Sequence, residues 1–439
     1  MKILVIGGGG REHALVWKLR QSPRVTQIWC APGNGGISKD AECLPADVHN
    51  VGALAELAER LGPDLTIVGP EQPLVLGVAD EFSKRGLAIV GPSREAAELE
   101  GSKIFAKQFM ERHGIPTASL YGIYDSAVDA YTALCAVDWP VVVKADGLAS
   151  GKGVLVTSSP DEATSFIERL MERHEFGAGG ARILLEEGLE GEELSYIVLT
   201  NGKWVLPMMP TRDHKRAYDG DEGPNTGGMG AYSSDALLGR ELEQNILETI
   251  VRPTIDGLAK EGRKYCGFLY FGLMLTERGP KVLEFNCRMG DPETQAIVLR
   301  MDFDLAEVLL GAAENALDPR AARWKPGASL CVVLASEGYP GAPRTGQPIT
   351  GLSDVAHRTG VSVFHAGTRL DGENYYTSGG RVLSVACHAG SLENACATAY
   401  DAISSIRIEG SHYRRDIGRP ALKARLVQGG ARGGSGATG

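Results

Sequence analysis

Leu283-Glu-Phe-Asn-Cys-Arg-Met-Gly-Asp-Pro-Glu293 decides how the rest of the chain is read, because it sets two hard-oxygen side chains two positions apart at the end of an apolar run. A strand alternates its side chains with period two, so Glu284 and Asn286 face one side while Leu283 and Phe285 pack behind them. Oxygen donors of this kind suit magnesium or manganese, and a two-ligand set makes chemical sense when the phosphates of a nucleotide complete the shell. Alone, such a pair is ordinary on a solvated strand. Its company gives it weight.

The 439 residues are too many for one core of ordinary size, so several domains are expected. Hydrophobic residues at 43% and charged residues at 23% are globular values, and 57 glycines imply many tight loops. A formal net charge of -10 argues against a broad nucleic-acid surface. No apolar stretch reaches membrane-spanning length, and the chain enters Lys2-Ile-Leu-Val-Ile-Gly7 without a signal-peptide pattern. A cytoplasmic monomer is expected, with no nucleic-acid or membrane partner. The eight cysteines lack C-x-x-C spacing and are read as reduced core thiols. Cys287 sits opposite Asn286 in the period-two pattern, which places it away from the metal face.

Working outward, Lys2 to Gly7, Thr26 to Cys30, Asp64 to Gly69 and Gly86 to Gly91 read as short strands with helical patterns between them, a parallel α/β unit over residues 1–101. Ligands of such sheets collect at the C-terminal strand ends, where the loops Gly7 to His13, Pro32 to Gly36 and Gly69 to Leu74 fall. The dinucleotide fingerprint fails: its third glycine position is Glu12, and no acid ends the second strand. Gly7 to Gly10 ahead of a helix still makes an anion site fit for a monophosphate.

A second unit over 102–326, α+β and built on antiparallel pairs, opens with a helix from Ser102 to His113. It closes with a hairpin of Gly267 to Thr276 and Pro280 to Asn286. Between them lie a long polar loop from Asp213 to Gly230 and a helical pattern from Leu237 to Gly262. An α+β unit over 327–427 follows, thin in site-like residues, then a low-complexity tail at 428–439 read as disordered.

Two further motifs carry chemistry. In Val143-Lys-Ala-Asp-Gly-Leu-Ala-Ser-Gly-Lys-Gly-Val154, Lys144 ends a strand, and Gly151, Lys152 and Gly153 form a loop able to close over phosphates; a solvated hairpin is the alternative. It is not a Walker A loop, since Gly153 follows the lysine and a strand continues. Ile183 to Ser195 runs strand, acidic linker, strand, which could meet a purine edge or be an exposed acidic turn.

Taken together, VIGGGGREHAL, PGNGG, GPEQPL, KADGLASGKGV, EEGLEGEELS, DHKRAYDGDEGPNTGGMGAYS, LYFGLMLT, LEFNCRMGDPETQ, GYPG and YRRDIG make the chain resemble the ATP-grasp ligases. Within them the chain resembles the phosphoribosylamine-glycine ligases, the GAR synthetases of purine biosynthesis, over nearly its whole length. The resemblance implies an N-terminal pre-ATP-grasp domain, a central ATP-grasp domain and a C-terminal domain. It also implies a reaction in which ATP activates glycine as glycyl phosphate and 5-phosphoribosylamine takes the acyl group, with magnesium or manganese.

The same resemblance implies that Lys107 and Lys144 hold phosphates, Glu186 and Leu189 meet adenine through backbone groups, Glu193 binds ribose, and Glu284 with Asn286 holds the metal. Arg288 is placed at the acyl phosphate or the glycine carboxylate. In the glycine segment, Asp213 would attract the ammonium, with Asn225, Gly228 and backbone donors of Gly227 to Gly230 around it. Gly8, Gly9, Gly10, Arg11, Asn34, Gly35 and Glu71 would hold phosphoribosylamine. Arg288, Lys144 and Asp213 are the catalytic candidates. The chain departs from the pattern in three places. Gly272-Leu-Met-Leu275 lacks another metal-binding acid, Gly188 replaces a large apolar residue beside adenine and is expected to loosen packing there, and Met289 replaces an aromatic.

Overall fold

The computed structural model describes residues 1–148, 153–175, 177–419 and 421. Gly151, Lys152 and the 428–439 tail lie outside them. The N-terminal sheet is parallel throughout, in the order Glu42–Cys43, Gln27–Pro32, Lys2–Gly7, Leu65–Val68, Ile89–Val90. Lys2–Gly7 is central, and the chain order reverses on either side of it. The crevice of a doubly wound sheet opens at such a reversal, so the three glycine loops rim one opening. The fourth expected strand shrinks to Ile89–Val90, and Glu42–Cys43 is an edge strand the pattern did not announce.

Two antiparallel sheets follow. One orders Leu120–Tyr124, Ile183–Glu187, Val141–Ala145 and Val154–Thr157; the other orders Val205–Pro207, Glu192–Thr200, Gly267–Thr276 and Gly279–Asn286. The helix Lys103–Arg112 begins where Ser102 accepts from the Phe105 N–H and donates to Asp146 at 2.6 Å. One N-cap thus fixes both a helix start and the start of the glycine loop. Apolar side chains of the parallel sheet (Leu4, Ile6) and of the second antiparallel sheet (Tyr196, Phe271, Phe285) belong to one buried cluster.

The expected helix at Leu237 to Gly262 begins at Arg240, passes through a wider π-type turn at Leu247–Val251 and ends at Lys260. The polar loop is more ordered than its composition implies. Arg216–Tyr218 pairs with Glu222–Asn225 as a hairpin. Its flanks Arg212–Asp213 and Gly230–Ser234 join Ala328–Ala335, Arg381–Ala389 and Val361–His365 in a five-stranded sheet. The C-terminal part of the chain therefore braces the segment assigned to glycine. Among the described residues no helix is long and apolar enough to cross a membrane.

Candidate functional site

Glu284 and Asn286 both open into the cleft while Phe285 is buried. Glu284 stands opposite Gly272, where a Cβ would fall 2.9 Å from its Cγ, so the missing acid on the neighbouring strand is also what leaves this side chain room. Burial opposes ionisation of Glu284, but Lys215, Lys144, Lys103 and Arg288 outweigh it and hold the carboxyl below its usual range. Asn286 Oδ1 accepts from Arg288 Nη2 at 3.3 Å. An ionised carboxylate and an amide oxygen on one face fit a divalent cation that draws its other ligands from phosphate and water. Among the described residues no cluster of three His, Cys, Asp or Glu offers a protein-only cage.

The same cleft is lined by Glu71, Glu100, Lys103, Lys107, Lys144, Gly153, Glu186 and Arg288, bringing together the Gly69 to Leu74 loop, the Val143 to Val154 segment and the Ile183 to Ser195 segment. Glu186 lies between two ammonium groups, with Lys107 and Lys144 each 2.7 Å from one of its oxygens. Its strand pairs on both sides, so the side chain rather than the expected backbone contact is its visible task. Burial raises the Glu186 carboxyl, and the two lysines outweigh that and leave it lowered; for Lys107 burial outweighs a carboxylate it shares and loosens the proton. With both contacts at 2.7 Å, we take Glu186 as ionised between two cations. Lys107 also donates to Thr117 Oγ1 at 2.9 Å and Ala118 O at 2.8 Å, which uses all three of its protons. Lys107 therefore acts through Glu186 in this arrangement, which leaves Lys144 and Lys103 as the other lysines lining the cleft.

Arg288 is gripped by two carboxylates, Glu71 at 3.2 Å from the N-terminal unit and Glu100 at 3.0 Å. The other oxygen of Glu100 accepts from the Cys287 N–H at 2.6 Å, pinning the turn that carries both Asn286 and Arg288. Burial pushes the Glu100 carboxyl up to about 7; Arg288 opposes and Glu71 adds to the rise. A carboxyl raised on folding keeps its proton while the unfolded chain loses its own, so its contribution to stability declines from the ordinary value of 4.5 up to about 7. Glu100→Gln should abolish that decline. Between pH 5 and pH 8 the wild type should lose about 3 kcal/mol of unfolding free energy that the variant keeps, as chemical denaturation at the two pH values would read. Parallel pH curves would mean that Glu100 titrates as an ordinary carboxyl.

Asp213 and its neighbours lie beyond that cleft's lining. Asp213 Oδ1 is buried without a hydrogen-bond partner among the described residues, as are Thr211 Oγ1, Arg212 Nε and His214 Nδ1. Burial and the nearby Glu293 raise the Asp213 carboxyl well above its usual range, against Lys215. Lys215 reaches Glu193 at 2.9 Å and Glu284 at 3.6 Å, and so ties the expected ribose carboxylate to the metal strand. The backbone donors expected around Asp213 are already engaged: the N–H groups of Gly227, Gly228 and Met229 donate to Tyr339 Oη, Thr226 Oγ1 and His214 O. Asn225 ends the hairpin strand Glu222–Asn225.

At the N-terminal crevice, Gly9 caps the helix Gly10–Leu19 and its N–H meets Glu12, while the Arg11 N–H meets Asp291 at 3.4 Å. Two first-turn donors thus already face carboxylates. The Glu12 side chain folds over Gly69, where a Cβ would fall 1.9 Å from Oε1; it fills the place a third glycine would leave open. The Arg11 guanidinium turns to Glu12 at 2.6 Å and Met289 O at 3.1 Å. Asn34 locks the crevice loops: it donates to Gly8 O and His365 O and accepts from the Gly36 and Ile37 N–H groups. The Gly35 N–H is engaged by Thr368 O, and a Cβ on Gly8 would strike Gly33 O at 2.4 Å. A second cavity, about 350 Å³, lies against Lys18, Met301 and Lys325. Lys18 there donates to Met301 O at a helix end, a structural task.

Three family models cover the chain in order: the phosphoribosylglycinamide synthetase N domain over residues 1–100, its ATP-grasp (A) domain over 101–294 and its C domain over 329–420. The chain belongs to the phosphoribosylglycinamide synthetase family. It is 48% identical over 425 residues to the phosphoribosylamine–glycine ligase of Ralstonia nicotianae, covering 96% of this chain and 100% of that one. The Salmonella typhimurium ligase is 48% identical over 427 residues, 96% of this chain and 99% of that one. A crystal structure of the Thermotoga maritima ligase superposes with a TM-score of 0.83 at 32% identity, covering 95% of this chain and 100% of that one. Biotin carboxylase from Campylobacter jejuni shares the fold, with a TM-score of 0.72 at 16% identity over 94% of this chain and 93% of that one.

Within this member of the synthetase family, Gly188 has a packing reason. Its N–H donates to Pro140 O at 2.8 Å, and a Cβ would fall 2.6 Å from Pro140 Cγ. The close approach tightens this turn where the sequence pattern implied loosening. Leu189 follows it, half-buried. Sequence reasoning missed Lys103, Glu100, Lys215, Arg381 and Tyr339. Lys103 had a usable signal, since it stands one turn before Lys107 on the same helix face. The others meet their partners only through tertiary pairing. Among the cysteines, Cys30, Cys287, Cys331, Cys387 and Cys396 are buried thiols, but Cys135 is exposed.

Proposed function

We infer that this chain is an ATP-dependent ligase that joins glycine to 5-phosphoribosylamine, the step of purine biosynthesis carried out by the relatives it matches along their whole length. The observation that carries the reading is one cleft in which Glu284 and Asn286 face Lys144, Lys103 and Arg288. A carboxylate becomes an acylating agent only once an oxygen is phosphorylated, and its negative charge repels the γ-phosphate until cations offset both. A glycine carboxylate oxygen attacks the γ-phosphorus and ADP leaves, giving glycyl phosphate. The amine nitrogen of phosphoribosylamine then attacks the carbonyl carbon, phosphate leaves with its electron pair, and the nitrogen gives up one proton. Glu284 and Asn286 would hold magnesium or manganese, which supplies positive charge at the phosphates when bound.

Lys144 has one N–H beyond Glu186 and Leu283 O with which to reach a phosphate oxygen. The unpartnered Asp213 oxygen suits the glycine ammonium, whose positive charge would offset the burial and the Glu293 repulsion that raise this carboxyl. A free amine attacking an acyl phosphate needs orientation more than a strong base, and the crevice of the N-terminal sheet supplies it. Arg11→Ala should raise the KM for phosphoribosylamine at least about tenfold and leave that for ATP within about twofold, because Arg11 does not line the nucleotide cleft. The reverse pattern would move the amine site elsewhere.

ADP release by the purified protein with ATP and magnesium tests the whole reading. Release should require glycine and in-place-generated phosphoribosylamine together, with an amide product. Release supported by bicarbonate or formate instead would replace the substrate assignment.

A further inference from the structure

Arg381 and Tyr339 belong to the C-terminal unit, which the motif pattern left without a chemical task, yet both reach into the segment that carries Asp213. Arg381 Nη1 donates to Gly227 O at 2.6 Å, Asp291 O at 2.6 Å and, more distantly, Gly228 O at 3.4 Å; Nη2 lies 3.4 Å from Asp291 Oδ2. Tyr339 Oη accepts from the Gly227 N–H at 2.9 Å. Both backbone groups of Gly227 are thus held by side chains more than a hundred positions away, across a sheet boundary. Gly228 has φ +107, and a Cβ there would fall 2.4 Å from Pro292 Cδ and 2.8 Å from Asp213 Oδ1. The loop therefore lies flush on the one carboxyl oxygen of this region that is buried and unpartnered.

We propose that Arg381, seconded by Tyr339, is a positioning residue for the glycine site, holding Gly227 and Gly228 against Asp213 so that the carboxyl which would meet the glycine ammonium is fixed in place. The inference rests on the reading of Asp213 as the ammonium partner. The geometry uses both ends of a planar fork: Nη1 meets the three carbonyls while Nη2 faces the Asp291 carboxylate, and a lysine, with a single nitrogen, cannot do both. Burial opposes the Arg381 charge and Asp291 outweighs it, so the guanidinium stays charged. Its mounting is rigid, since it opens the strand Arg381–Ala389, paired along both edges in the C-terminal sheet. Gly380 beside it makes room for the Tyr339 ring, from which a Cβ would be only 2.4 Å away. Because Arg381 would act through the loop, its loss should weaken glycine binding without touching the nucleotide.

Steady-state kinetics of Arg381→Lys and Tyr339→Phe, with glycine and ATP varied separately, test the proposal. Arg381→Lys should raise the KM for glycine about tenfold and leave that for ATP within about twofold; Tyr339→Phe, which removes only a hydroxyl, should raise the glycine KM about threefold in a chain of unchanged melting temperature. A purely structural role would lower the melting temperature and shift both KM values together. An unchanged glycine KM in Tyr339→Phe, or parallel shifts in Arg381→Lys, overturns the proposal. If the wild type itself releases ADP without regard to glycine, the substrate reading falls first and takes this inference with it.

Discussion

Glu284→Ala yields a folded chain whose kcat is lower by at least about a thousandfold. Glu284 is the only carboxylate on the metal face of its strand, and Gly272 opposite offers no second acid to take over. Its side chain is 40% exposed into the cleft, so removal leaves no core cavity, and Lys215 keeps Glu193 as a partner. The melting temperature should therefore stay within a few degrees while turnover at saturating magnesium collapses. Near-wild-type turnover would remove the metal assignment. A collapse of the fold would instead give Glu284 a structural task.

Lys107→Met carries the largest stability effect, a loss of about 3 kcal/mol, because it leaves a buried carboxylate with one cation where it had two. Lys107 and Glu186 are each only 2% exposed in their side chains, so solvent cannot replace the lost partner. The Glu186 carboxyl is lowered from 4.5 in the folded chain. A depressed carboxyl contributes stability at pH values above its unfolded value, and that contribution is lost as pH falls through the folded value. In Lys107→Met the folded value rises, so acid unfolding should begin at higher pH than in the wild type. The double variant Lys107→Met, Glu186→Gln should recover part of the loss, since no unpaired charge remains. Equal stability of wild type and single variant would show that Lys144 alone suffices for Glu186.

What the sequence disclosed follows from how local each signal is. Period two alone put Glu284 and Asn286 on one face, and the hairpin that presents them spans Gly267–Thr276 and Gly279–Asn286 much as the apolar runs imply. The parallel order of the first sheet and its crevice were equally local, since Lys2–Gly7, Gln27–Pro32 and Leu65–Val68 are each followed by a glycine loop. The polar composition of Asp213 to Gly230 concealed a hairpin and two flanking strands, because they lack an apolar alternation of their own and the flank Gly230–Ser234 is anchored on Ala328–Ala335, a hundred residues onward. Arg381, Tyr339 and Glu100 were illegible for the same reason: their meaning lies in contacts with Gly227, Asp291 and Cys287. Lys107 lines the cleft, but its saturation by Glu186, Thr117 and Ala118, which departs from the phosphate contact expected of it, follows only from tertiary contacts.

The most direct test of the central claim, activation of glycine through its carboxylate, is the fate of oxygen in glycine labelled with oxygen-18 at that carboxylate. One turnover with ATP, magnesium and phosphoribosylamine should deliver one labelled oxygen into inorganic phosphate while ADP forms. Unlabelled phosphate, or label appearing in AMP, would contradict the acyl phosphate route and with it the role assigned to this cleft.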